Sequence, residues 1–181
     1  MLPEKQKRVE EIAKETIIFD GKKQFLLNEE EVRNLNIAKG TLLPEEREII
    51  NDHIVITIEM LEQLPYPKQL KNVPEFAGGH HEKLDGTGYP KKLKANEMSV
   101  QAKIMAIADI YEALTAADRP YKDGKRLSQA MRIMGFMKND YHIDEDIFEL
   151  FVKSGVYREY ANKYISGTQI DVVDEDAVLD S

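Results

Sequence analysis

One segment limits the fold more than any other: SVQAKIMAIADIYEALTAA, residues 99–117. Wound as a helix it is apolar nearly all round, and a helix without a polar face has to be buried by its neighbours. The rest of the chain offers neighbours of the same kind. Val9, Ile12, Ala13, Thr16 and Ile17 recur at helical spacing in a charged segment. Asn28 followed by Glu31 reads as a helix N-cap with its capping-box acid, and Gly40 as a stop. Pro44 opens a long helix with Glu45 and Glu46 in its first turn, where acids suit the helix dipole. Its apolar stripe is Ile50, Ile54, Thr57, Leu61 and Leu64, and PYP at 65–67 breaks it. Asn72 and Pro74 start the next helix, which is expected to carry His80 and His81. Three more helical stretches follow near 127–138, 144–154 and 156–165. IIFDGKKQFLL reads either as a hairpin around Asp20-Gly21 or as an irregular loop. The end, DVVDEDAVLD, has five acids and no base and is expected to be a loose tail. The expected class is all-α, a helix bundle, with residues 1–40 as an N-terminal helix and connecting segment, 41–166 as the main domain and 167–181 as an acidic tail.

Composition sets further bounds. A chain of 181 residues can bury one real core. It has no run of 18 apolar residues to cross a membrane, and its N-terminus lacks the apolar stretch of a signal peptide. With no cysteine, disulfides and thiolate metal sites are excluded. A cytoplasmic protein is the default expectation. The formal net charge of −8 argues against binding long nucleic acid through a broad basic face, but leaves room for a small phosphate ligand held by a few local cations.

The chemistry-bearing residues are few. His80 and His81 are adjacent. On a helix, neighbouring side chains point about 100° apart, so two such rings do not easily grip one ion from the same side. They are either a solvated pair at a helix end or ligands of two different ions. Asp109 lies within IMAIADIYEAL, where a carboxylate should be buried, and a buried charge is either paired, hydrogen-bonded or bound to metal. His53 sits on or beside the stripe of the long helix, as a core histidine or a ligand. Together His53, His80, His81 and Asp109 form a nitrogen and oxygen donor set suited to iron, manganese or zinc, on three successive helices of a bundle. Arg119 and Lys122, in DRPYK, are either solvated loop charges or a phosphate clamp, Arg by its fork and Lys as a point charge. His142 reads as a loop residue.

HHEKLDGTGYP resembles the signature of the HD-GYP family, bacterial metal-dependent phosphodiesterases that hydrolyse cyclic di-GMP. GTLLPEEREIINDH is similar to the family segment leading into a ligand histidine, here His53, and AKIMAIADIYEALTAADRPYK to the one holding a late ligand Asp, here Asp109. The resemblance covers about residues 35–140. It implies that His53, His80, His81 and Asp109 are ligands of a divalent metal, Fe or Mn, and that Arg119 and Lys122 hold the nucleotide's phosphate. Gly86, Gly88, Tyr89 and Pro90 match the GYP loop near the substrate mouth, which is linked to protein contacts. Leu43 stands where family members often carry a Thr cap. The larger departure is the His-Asp dyad for which the family is named: no histidine precedes His53, and no His-Asp pair occurs anywhere in the chain.

The expectation is therefore the C-terminal part of an HD-GYP domain. An intact domain would yield linear pGpG or GMP, and this chain alone is expected to be weak or inactive. The alternative is a degenerate module that binds a cyclic dinucleotide, or docks a partner such as a diguanylate cyclase domain, without catalysis. Absent N-terminal helices would leave core surface bare near His53 and the Asp109 helix. A homodimer or larger assembly involving the first forty residues is expected on that ground.

Overall fold

The computed structural model describes residues 2–38, 40–117 and 124–180. The chain divides into two compact units, Met1–Asp52 and His53–Ser181.

In the first unit, α1 (Pro3–Ile12) begins with proline in its first turn. The helical period of the sequence runs on past its end, but Thr16 and Ile17 belong instead to an antiparallel hairpin, β1 (Thr16–Phe19) and β2 (Lys22–Phe25). Asp20 and Gly21 both take positive φ, the two-residue turn whose twist suits a hairpin. That local turn overrides the helical spacing. Helix α2 (Glu29–Leu35) has the expected capping box: Asn28 Oδ1 accepts from Glu31 N, and Glu31 Oε2 from Asn28 N, each at 2.8 Å. It stops before Gly40 is reached. The Gln6 side chain donates to Asn36 O at 2.6 Å, tying α1 to the end of α2.

Helix α3 (Pro44–Glu62) starts at the expected proline. Leu43 cannot cap it by side chain, but its N–H donates to Glu46 Oε2 at 2.7 Å, which is half of a capping box. The helix buries Ile54 and Ile58, whereas Ile50 of the expected stripe is exposed.

The second unit is a helix bundle. After a 3-10 turn at Lys68–Leu70 come α4 (Val73–Gly78), α5 (Val100–Thr115), α6 (Leu127–Asn139), α7 (Glu145–Lys153), α8 (Val156–Tyr164) and α9 (Glu175–Leu179). Ser99, Asp144 and Asp174 cap α5, α7 and α9 with side-chain oxygens. Asp144 also takes an ion pair from Lys103 of α5 at 2.9 Å. The core gathers Ile107, Met131, Met134, Phe148, Val152 and Tyr157. Helix α5 is buried along one face only (Ala102, Ala106, Ile107 and Tyr111), while Val100 and Ile104 are exposed, contrary to the expectation of burial all round.

The acidic end is not loose. Val173 and Val178 lie in the core, and Tyr157 Oη donates to Glu175 Oε1 at 2.6 Å. Burial and that carboxylate together push the Tyr157 hydroxyl up to about 12. Two valines among five acids escape a compositional reading, yet they decide where the segment goes. With nine α-helices and one short hairpin among the described residues, the chain is all-α with a small β addition.

Candidate metal centre

The histidine pair is brought to His53 by close packing. A Cβ on Gly78 would lie 2.6 Å from Ile58 Cδ1 of α3, and one on Gly79 would lie 2.7 Å from Ala102 Cβ of α5. The two glycines therefore let the end of α4 close against both helices. Helix α4 ends at Gly78, so His80 and His81 lie in the turn beyond it rather than on the helix as expected. Freed from the helical step of about 100°, the two rings converge, with centroids 4.1 Å apart and planes tilted by 44°.

One ligand atom from each of His53, His80 and His81 lies within 4.8 Å of the others. His53 Nε2 and His81 Nε2 approach to 3.3 Å. Two ring nitrogens at that distance either share a proton or face one cation. His80 Nδ1 lies 2.6 Å from Ala77 O, so it carries the proton and donates. That leaves Nε2 with its lone pair, the arrangement metal-bound histidines adopt. Burial of His81 lowers its pKa, the neighbouring His80 and His53 lower it further, and Asp109 works in the opposite direction. The net effect favours neutral imidazole, the ligand form.

These features fit a divalent cation. Imidazole nitrogens bind at about 2.1 Å, which sets adjacent donors about 3 Å apart. Asp109 is on α5, half-buried rather than buried as expected, and outside the three-histidine cluster. Its charge reaches both His81 and Tyr89, whose hydroxyl pKa is raised by burial and by Asp109. Arg119 and Lys122 lie outside the described residues. His142 is half-buried, and burial lowers its pKa, with Lys83 and Asp85 near enough to act on it. It is not part of the cluster.

The loop that follows is fastened at several points. Asp85 Oδ1 accepts from Thr87 N at 2.8 Å and Thr87 Oγ1 at 2.7 Å, and the Thr87 N–H chiefly holds its carboxyl below the usual range. Gly88 packs so tightly that a Cβ would lie 2.5 Å from Glu82 Cα and 2.6 Å from Glu82 C. Tyr89 N donates to His81 O at 3.3 Å, the Tyr89 ring stacks on His81, and the Tyr89–Pro90 bond is cis. Sequence reasoning did not single out Glu82, although it is buried and holds the loop through backbone amides. The available signal was a carboxylate wedged between two histidines and a glycine loop, with no helical face to place it in solvent.

A family model described as HD domain matches residues 30–147. Among curated proteins, the chain is 40% identical over 82 residues to a 3′3′-cGAMP-specific phosphodiesterase of Vibrio cholerae, covering 45% of this chain and 19% of that one. It is 37% identical over 117 residues to a cyclic di-GMP phosphodiesterase of Thermotoga maritima, covering 65% of this chain and 31% of the relative. It is 43% identical over 79 residues to a cyclic di-GMP phosphodiesterase of Pseudomonas aeruginosa, covering 43% and 18%. The chain thus spans less than a third of the length of each of these relatives. A domain match across more than half of the chain, over the same residues that carry the histidine cluster and the GYP loop, shows that it belongs to the HD domain family, in its HD-GYP branch.

Proposed function

We propose that this chain is the C-terminal, metal-binding part of an HD-GYP phosphodiesterase domain that acts on cyclic dinucleotides, cyclic di-GMP foremost. The observation that supports it is the three-imidazole cluster, with His80 already in the ligating tautomer. His53, His80 and His81 would hold the metal, Fe or Mn, and Asp109 would add a carboxylate from α5. Bound there, the metal supplies an acidified water and offsets charge on the phosphate. The chain's own residues orient and bind. Ala77 O fixes the His80 ring, Asp109 adds negative charge beside His81, and Arg119 and Lys122 hold the phosphate. Gly86, Gly88, Tyr89 and Pro90 form the loop beside the site. In the complete reaction water adds at phosphorus, the P–O3′ bond breaks and the 3′ oxygen takes a proton, giving linear pGpG; a second water and a second such cleavage give two GMP.

A second reading is binding without hydrolysis by the residues of this chain, which hold the histidine cluster and the GYP loop but no His-Asp dyad. In that reading the GYP loop would also dock a diguanylate cyclase domain. One experiment separates the two. The purified chain is given Mn²⁺ or Fe²⁺ and cyclic di-GMP, with metal binding followed by calorimetry and products by chromatography. The metal site requires His81→Ala to weaken binding at least about tenfold. If the variant binds as well as the parent, the site falls. Under the first reading this chain alone turns over little or no nucleotide, so the deciding sample is the same chain joined to a segment that carries the family's His-Asp dyad: pGpG formed there selects the first reading, and bound nucleotide with no pGpG selects the second.

A further inference from the structure

The residues between His81 and Leu93 form a closed device with the Tyr89 ring as its working face. Glu82 anchors it. Its side chain is buried, with 2% of the residue exposed, and both oxygens are used: Oε1 accepts from Lys91 N at 2.6 Å and Oε2 from Leu93 N at 2.9 Å. Two amides two residues apart are thereby held to one carboxylate, which fixes the returning limb of the loop. The outgoing limb is fixed by Gly88 packing on the Glu82 backbone and by Tyr89 N donating to His81 O. With both limbs held, the Tyr89 ring lies flat on the His81 ring, centroids 4.8 Å apart and planes 18° from parallel. His81 stays partly exposed but has a neighbour on three sides: Tyr89 covers one face, His80 lies against it, and Nε2 faces His53 Nε2.

We infer that Tyr89, seated by Glu82, is the positioning residue of His81: its ring restricts the imidazole to the orientation that keeps Nε2 turned toward His53. This rests on the metal-centre reading above for its consequence, while its geometry stands on the ring stack and the Glu82 hydrogen bonds themselves. A loop that merely folds over the site would need neither a flat stack nor a buried carboxylate beneath it. A histidine free to turn would have to be ordered by each arriving cation, and outer groups that orient a ligand commonly contribute 10–100-fold in affinity.

The test uses the full chain and two readouts. The first is proton NMR of the metal-free protein. His81 ring protons should be displaced upfield by the Tyr89 ring current in the parent and in Tyr89→Phe, and should return to ordinary positions in Tyr89→Leu. The second is calorimetric titration with Co²⁺ alone. Tyr89→Leu and Glu82→Gln should bind about tenfold more weakly than the parent. Tyr89→Phe should stay within about twofold, because the ring and not the hydroxyl makes the stack. A role confined to loop stability would not separate Phe from Leu at position 89. Glu82→Gln retains one acceptor oxygen and turns an N–H toward a backbone N–H. If it fails to fold, the Tyr89 pair decides alone. A His81 signal unchanged by Tyr89→Leu overturns the inference, as does a lost signal with full Co²⁺ affinity. A parent that binds Co²⁺ no better than His81→Ala defeats the metal-centre reading instead, and the ring shifts of the metal-free chain still decide the positioning.

Discussion

The hairpin of the first unit and the pair α7–α8 of the second are short segments with clear local signals, yet they stand at opposite ends of burial. Every residue of Thr16–Phe19 and Lys22–Phe25 is exposed, Ile18 at 79% and Phe19 at 66%. Phe148, Val152, Tyr157 and Ala161 have no accessible surface at all. In the hairpin, two positive-φ residues and a four-rung ladder do the specifying. In α7–α8, caps mark the ends, but side chains from α5, α6 and α9 hold the pair in place. Secondary structure in the first unit is therefore a matter of backbone and turn chemistry, and in the second of packing.

The most direct way to break this contrast is to shorten one aromatic in each. Phe148→Ala should cost about 3–5 kcal/mol through lost transfer energy and the cavity left behind. Phe19→Ala should stay within about 0.5 kcal/mol. Urea unfolding of both variants measures the difference, and equal losses would show that the hairpin is packed in solution. Gly88→Ala is the next largest. Its new Cβ meets backbone of Glu82 and Lys83, which cannot swing aside, so a loss of about 1–3 kcal/mol is expected. Loss of the Tyr89–His81 ring-current shift should accompany it.

A smaller effect depends on pH. Burial works to raise Asp171, but the N–H and hydroxyl of Ser128, at 2.8 and 2.7 Å, outweigh it and hold the carboxyl below its ordinary value of 3.8. A carboxyl with a depressed folded pKa stabilises the fold fully above the ordinary value, and that stabilisation is lost as pH falls through the lower one. Ser128→Ala removes the hydroxyl. It should lower stability at neutral pH by about 1 kcal/mol and raise the midpoint of acid unfolding. An unmoved midpoint would mean that the Ser128 N–H alone sets Asp171. The smallest effect sharpens the contrast from the other side. Asn28→Ala should cost α2 about 0.5–1 kcal/mol and speed amide exchange within Glu29–Leu35, while the amides of α5–α8 keep their protection.

What was legible in the sequence follows the same line. The Asn28–Glu31 box, Pro44 and the α5 segment are signalled within a few residues, and each element is where its signal stands. The hairpin was legible as one of two alternatives, because Asp20-Gly21 sits inside a run that also keeps helical spacing. The bundle class could be read from the succession of helical segments; the donor set was expected as His53, His80, His81 and Asp109 on three helices, whereas His80 and His81 lie in the turn after α4 and Asp109 lies outside the three-histidine cluster. What escaped depends on partners far along the chain. Val173 joins the core, and Val178 reaches it on α9, which packs on α6 and α7; no local pattern announces that. Glu82 finds its amides nine and eleven residues on. The exit of His80 and His81 from α4 depends on two glycines fitted against Ile58 and Ala102, a steric fact between elements.

The Glu82 carboxylate engages main-chain donors, so it is indifferent to which side chains those positions carry. Mutational tolerance should therefore be lopsided across the loop. Almost any residue can stand at the exposed position 91 as long as it offers an N–H, which bars proline alone on that ground. Position 82 admits nothing shorter, neutral or longer without leaving an amide unanswered. A saturation library scored for His81 order would show a permissive column at 91 beside a nearly closed one at 82. A loop held in this way can change its outer face, and with it whatever it touches, while the histidine beneath stays where it is.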